Sequence, residues 1–397
     1  MSAARAAAPV TLVNADLGGQ RSSLRLHGGR ITQLHAPPAR GDLVLDLGGD
    51  RLLPGLINAH DHLQLNHFPA LEYPALYGNA TQWIEDFNAR LRDYPAVRAS
   101  AAVPRAQRLL GGGLKNLLSG VTTVAHHDPL DALLQQEEFP TRVVREYGWS
   151  HSLHVDGEAR VRAACLGTPA GQPWIIHAAE GVDAQAHAEF ERLAALGCLR
   201  AHTLLVHALA LDASQRQRLA AAGGGVIWCP TSNLRLFGRT AALGDLIAAG
   251  RVALGSDSRL TAAGDLLQEL GAARQALSLD EATLERLVTS DSARLLRLKD
   301  CGTLAPGAHA DLIVLPAALP LSQARRVDLR LVMRGGAVRY GDPDYVRALG
   351  AAADFTAVEV DGRAKLLQRR LATPLLGGAV SEPGVRLADA PGRVACG

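Results

Sequence analysis

The sequence predicts an α/β protein, a (β/α)8 TIM-like barrel joined to a small β-sandwich formed by both chain ends. Three observations lead there. Apolar runs alternate with long helical segments through the middle of the chain, the pattern of parallel βα units. That region, Pro54 to Leu298, is about 245 residues long, close to the ~250 typical of such barrels. Both ends carry short alternating strands broken by Gly and Asn/Asp turns, which suits a small antiparallel sheet.

At the N-terminal end the β-like runs are VTLVNADLGGQ, SSLRLHGGRITQLHA and DLVLDLGGDRLLPG. The barrel strands follow as Leu52–Ala59, Val121–Ala125, Arg142–Leu153, Trp174–His177, Thr203–His207, Gly225–Cys229 and Val252–Gly255. Helices fill the gaps at Ala80–Leu118, Asp183–Leu196, Asp212–Ala222, Ala263–Leu277 and Ala282–Leu296. Seven strands are one short of eight, so either Arg142–Leu153 supplies two or one βα unit is reduced. β-texture returns in GTLAPGAHADLIVLP and LRLVMRGGAVRYG. The expected domains are residues 1–53 plus 299–345 as the sandwich, 54–298 as the barrel, and 346–397 as a C-terminal helical extension and tail.

Composition narrows the function. Hydrophobic residues make up 48% and charged residues 20% of 397, ordinary values for a globular chain. Net charge is +2 with scattered Arg, so there is no basic stripe for a nucleic-acid backbone. No apolar run approaches the ~18 residues of a membrane span. The five cysteines at 165, 198, 229, 301 and 396 are odd in number and never form a CxxC pair, which argues against a disulfide framework or a thiolate zinc site. The expected setting is cytoplasmic, with a small-molecule partner and homo-oligomerisation left open.

The chemistry gathers at strand ends. On a strand, positions i and i+2 share a face, so His60 and His62 in NAHDHL project side by side. His177 ends WIIH, His207 ends TLLVH and Asp257 follows VALGS, and in barrels the working residues sit at the C-terminal ends of strands. A lone histidine there is more often structural and an aspartate after a strand is often a helix cap; five in order at one mouth are not explained that way. Three imidazoles and a carboxylate with an open position form a catalytic rather than a structural metal site, suited to Zn, Fe or Mn. Glu180, three residues after His177, can carry a proton, and Asp257 and His207 can orient water and polarise an oxyanion. Gln64, His127 and Asn233 are candidate substrate contacts, as is stacking by Trp83, Trp149 or Phe237. His67 lies beyond the strand, toward the rim.

The segments LLPGLINAHDHL, GVTTVAHHD, IIHAAEG, LLVHALAL, VIWCPTSNLRL, LGSDSRLTAAGDLLQEL and GTLAPGAHADLIVL together resemble the amidohydrolase superfamily, in its branch of cytosine and guanine deaminases and triazine chlorohydrolases. The resemblance implies His60, His62, His177 and Asp257 as ligands of one divalent metal ion, with Glu180 and His207 as the acid–base and polarising groups. A mononuclear site agrees with the absence of Lys between 116 and 298, since binuclear relatives commonly bridge with a carboxylated lysine. The function expected is a metal-dependent hydrolase acting on carbon–nitrogen bonds other than peptide bonds, deaminating a nitrogenous heterocycle. The alternatives are a cyclic or linear amide hydrolase resembling imidazolonepropionase, and a non-catalytic metal-binding barrel.

Overall fold

The structure is a computed structural model that describes residues 8–388 apart from 74 and 379. Two compact units emerge: Leu56–Thr303 with Pro320–Gln323, and Met1–Gly55 with Leu304–Leu319 and Ala324–Gly397.

The first unit is built on parallel strands. In chain order these are β1 (Leu56–Asp61), β2 (Val121–His126), β3 (Arg142–Val143), β4 (Gly148–Ser152), β5 (Trp174–Ala178), β6 (Thr203–His207), β7 (Gly225–Trp228) and β8 (Val252–Leu254). β1, β2 and β3 form one ladder, and β4 to β8 another. Residues 142–153 therefore supply two strands, which resolves the missing count. β3 escaped notice because it is only two residues long, below any periodic signal. Six of the strands are buried at every position; that is why they read as unbroken apolar runs, with helices covering their outer face. Beyond β8 the chain bonds to β1, the Ser256 and Asp257 amides donating to the His60 carbonyl at 3.0 and 3.1 Å.

The expected helix Ala80–Leu118 is three helices, Ala80–Ala89, Pro95–Ala102 and Arg105–Leu118. Proline causes the breaks: Pro95 opens the second helix at its first turn and Pro104 caps the third, positions where the missing amide costs nothing. Other helices begin at sharp acidic caps. Asp212 and Asp265 each form a reciprocal box with a glutamine three residues on, Gln215 and Gln268. Gly112 inside Arg105–Leu118 is explained by packing, since a Cβ there would lie 2.2 Å from the Leu63 carbonyl oxygen. That contact seats the short 3-10 turn Leu63–His67 directly after the His60–His62 pair.

The second unit is an eleven-stranded sheet assembled from both chain ends. The two ends meet where Arg51–Pro54 pairs antiparallel with Leu312–Leu315. One buried core unites Leu12, Leu24 and Ile31 with Leu312, Val314 and Leu331. The expected helical extension over 346–397 is met by the helix Arg369–Leu376 and is otherwise corrected. After the helix Pro343–Ala348 the chain forms a hairpin, Phe355–Val360 with Arg363–Gln368, and adds Val385–Leu387. The signal was Asp361-Gly362, both with positive φ, the two-residue turn that suits a hairpin twist. The tail's last residues, 389–397, lie outside the described residues.

Candidate metal centre and active-site cavity

Four histidines converge at the C-terminal ends of β1, β2 and β5. His60, His62, His127 and His177 are all buried and each offers a ring nitrogen within 4.8 Å of the others. His177 Nε2 lies 3.3 Å from His62 Nε2 and 3.3 Å from His60 Nε2. Two nitrogens bound tetrahedrally to one zinc at ~2.0–2.1 Å sit about 3.3–3.4 Å apart, so the spacing fits a shared ion. The outer nitrogens are engaged: His62 Nδ1 donates to Asp128 Oδ2 at 2.9 Å and His177 Nδ1 to the His151 carbonyl at 2.8 Å. Neutral rings held this way turn two lone pairs toward each other, and a cation between them relieves the repulsion. A proton serves the same end. Burial would push His62 down, but the adjacent Asp128 carboxylate outweighs it and raises the ring to about 9. Metal and proton therefore compete for one place.

Asp257 completes the group. Its Oδ1 lies 3.9 Å from His60 Nε2, while the Ser258 amide and the Thr261 hydroxyl each donate to the carboxylate at 2.8 Å. Backbone strain concentrates at this end. Ala179 after β5, His207 closing β6, Ala208 and Asp257 after β8 all hold φ between 50° and 70°, a region non-glycine residues enter at a cost of about 1–3 kcal/mol and which clusters at functional sites. Gly255 is small for a related reason, because a Cβ there would lie 2.7 Å from that of His60.

Across from the histidines are Glu180 and His207. The Glu180 carboxylate is 3.5 Å from His207 Nε2, and His207 Nδ1 donates to Asn233 Oδ1 at 2.8 Å. Burial raises the Glu180 pKa despite the pull of His207, which moves the group toward the range where it can both take and release a proton. Asn233 belongs to the helix Pro230–Phe237. That helix is pinned by buried Glu269, which accepts from the Thr231 amide at 2.9 Å.

These groups line a cavity of about 290 Å³ together with Gln64, Leu65, Trp83, Ile84 and Leu236. Gln64 donates to Asp128 at 2.6 Å, leaving its buried Oε1 without a partner. Trp83 joins the apolar wall, whereas Phe237 and Trp149 are not among the lining residues. His127 and Asn233, expected as substrate contacts, are corrected. Both are buried side chains outside the cavity lining, with their polar atoms committed to protein partners. His67 also stays out, ending the 3-10 turn with its carbonyl accepting from Ser100. His151, which flanks the end of the expected strand Arg142–Leu153 and could on that ground meet substrate, does line the cavity; Asp128 was missed, and its sequence sign was its place in AHHD just past β2.

With this geometry in hand, residues 155–339 match the amidohydrolase family. This stretch, a little under half of the chain, is similar to that family. Among curated relatives, 8-oxoguanine deaminase of Pseudomonas aeruginosa is 36% identical over 174 residues, 38% of this chain and 38% of that protein. The similar stretch thus spans well under half of that relative. 5-Methylthioadenosine/S-adenosylhomocysteine deaminase of Halobacterium salinarum is 27% identical over 347 residues, covering 74% of this chain and 79% of that one. Solved structures show the fold. An adenosine deaminase from Xanthomonas campestris with bound zinc superposes with a TM-score of 0.69 at 18% identity, covering 94% of this chain and 96% of that one. The triazine hydrolase of Arthrobacter aurescens gives 0.67 at 19% identity, covering 83% and 94%. These neighbours place the first unit in the TIM-barrel class with an additional domain. Among the described residues no helix is long and apolar enough to cross a membrane.

Proposed function

We propose that the protein is a metal-dependent hydrolase that deaminates a nitrogenous heterocycle. The observation that carries it is the facing pair of constellations, histidine nitrogens 3.3 Å apart on one side of the cavity and Glu180 with His207 on the other. His60, His62, His177 and Asp257 would hold one divalent ion, zinc by the chemistry of the donor set, with iron or manganese compatible. A divalent ion so bound lowers the pKa of coordinated water toward ~7 and supplies a nucleophile at neutral pH. Glu180, raised by burial and facing His207, would take up a proton on its carboxylate and pass it to a ring nitrogen or the departing amine. As an imidazolium, with its Nδ1 proton held by Asn233, His207 would donate from Nε2 to negative charge that develops at the attacked carbon. Asp257, steadied by Ser258 and Thr261, orients the attacking oxygen. Trp83, Leu65 and Leu236 bury the flat face of the ring, and the open Gln64 Oε1 accepts one of its N–H groups.

Deamination is favoured over hydrolysis of an amide bearing an acid group. Among the described residues no arginine or lysine lines the cavity, while Asp128, Glu180 and Asp257 do, so a substrate carboxylate or phosphate would be buried among like charges. The eight strands belong, on this reading, to one (β/α)8 barrel, supported by the bonds from Ser256 and Asp257 back to His60. A reducing, cytoplasmic setting agrees with the free thiols of Cys165, Cys198, Cys229 and Cys301. Loading the protein with Zn²⁺ or Fe²⁺ and screening aminated purines, pyrimidines, pterins and triazines for ammonia release tests the proposal. Turnover is expected for a neutral compound, with kcat/KM at least about 100-fold lower for its carboxylated or phosphorylated analogue. Ammonia from none of these classes, or a carboxylate product without ammonia, would overturn it.

A further inference from the structure

His127 is buried and among the four clustered histidines, yet both of its nitrogens are already committed. Nε2 lies 2.9 Å from the carbonyl oxygen of Ser150. A carbonyl only accepts, so Nε2 carries the proton and Nδ1 of the neutral ring is a bare lone pair. Nδ1 in turn is 3.2 Å from Nδ1 of His60. One proton lies between those two atoms, and giving it to His127 would make a fully buried imidazolium whose hydrogen-bond partners among the described residues are a carbonyl and a neutral ring, an expensive arrangement. The proton therefore belongs to His60. With Nδ1 protonated, His60 presents an unprotonated Nε2 toward His177 Nε2 at 3.3 Å and Asp257 Oδ1 at 3.9 Å.

We propose that His127 is a positioning residue that relays the Ser150 carbonyl to His60, fixing the tautomer and ring plane of His60, and that it is not itself a metal ligand. The inference rests on the proposed metal site. The place of the relay in the fold explains why an imidazole is needed there. His60 could not reach a carbonyl on β4 alone: the ladders part between β3 and β4, and β3 is only two residues long. The His127 ring, following β2, spans that gap and rests edge-on against Trp149, with centroids 5.4 Å apart. The companions of His60 use shorter routes, Asp128 for His62 and the His151 carbonyl for His177. Consecutive residues His127 and Asp128 thus serve the two proposed ligands at the end of β1. Outer groups of this kind raise ligand basicity, and their loss costs about 10–100-fold in metal affinity.

Chelator competition with Zn²⁺ on the full chain, together with the visible spectrum of the Co²⁺ form, tests the relay. His127→Phe is expected to bind one ion per chain with affinity lowered about 10–100-fold and an unchanged Co²⁺ spectrum. His127→Asn, whose Oδ1 can accept from His60, should recover most of the loss. Equal affinity of the native protein and His127→Phe would overturn the positioning role. Loss of the ion in both variants, or a Co²⁺ spectrum shifted to fewer nitrogen ligands, would make His127 a ligand. If the native chain itself binds no stoichiometric ion, the metal-site reading fails, an outcome distinct from either. Should the variants not fold, ¹⁵N NMR of the native protein decides: the proposal requires the His127 proton on Nε2 and the His60 proton on Nδ1, and a proton on Nδ1 of His127 overturns it.

Discussion

Glu180 carries the largest chemical demand of any single side chain here. It faces His207 at 3.5 Å, is pushed up by burial, and makes none of the short contacts that tie the histidines together. Glu180→Gln keeps its size and removes its proton-carrying capacity. Turnover should fall by about 10²–10⁴-fold while metal content, measured by elemental analysis, stays at the native level. Loss of metal in this variant would instead place Glu180 among the ligands. At this scale most of the candidate site was legible in the sequence, because His60, His62, His177, His207 and Asp257 each lie at or just past the end of a buried strand. The roles of His127 and Asn233 were not. Whether a polar side chain reaches a cavity or a neighbouring ring depends on what lies across from it, and Ser150 and His207 are distant in sequence.

Elements behave differently from residues, since their packing fixes how the site is held. Glu269, on the helix Leu266–Leu277, is buried and hydrogen-bonded to the amide and hydroxyl of Thr231. Burial raises its pKa from 4.5 to about 8, against the pull of those bonds. The folded state therefore holds this proton more tightly than the unfolded chain, so the stabilising contribution is full below about 4.5 and is lost as pH rises through about 8. Thermal melts from pH 7 to 8.5 should show stability falling with pH, above the range in which the lowered pKa values of buried His60, His126, His127, His151 and His177 make it rise. Glu269→Gln, neutral throughout, should flatten that fall, leaving a shallower slope from Glu189, which burial raises to about 7. An unchanged slope would rule Glu269 out as its source. At element scale, long helices and buried strands were readable, but prolines cut the expected helix 80–118, and β3 was too short to carry a period.

For the barrel unit as a whole, the decisive link is a buried lysine. Lys115 in the helix Arg105–Leu118 donates to Asp61 at 3.1 Å, Asn66 at 2.8 Å and Ser256 at 2.9 Å. Lys115 and Asp61 are both fully buried, and Asn116 adds a bond to the same carboxylate at 2.7 Å. The cluster fastens the end of β1 to the segment after β8, the two places from which His60, His62 and Asp257 emerge. Lys115→Met leaves Asp61 uncompensated and should cost about 3–5 kcal/mol in denaturant unfolding. The double variant with Asp61→Asn should recover part of that, and a single variant as stable as the native protein would dismiss the link.

The sequence by itself determined the barrel's alternating layers, the strand-end histidines and aspartate, and the β-rich ends, because periodicity and turn chemistry are local and leave their mark in consecutive residues. Only the tertiary structure decided that residues 142–153 form two strands, that Phe355–Val360, Arg363–Gln368 and Val385–Leu387 join the end sheet, and that His127 and Asn233 hydrogen-bond to neighbouring rings. Each of those depends on a partner far along the chain, where a hydrogen bond or a contact between buried rings is settled by how the strands are brought together.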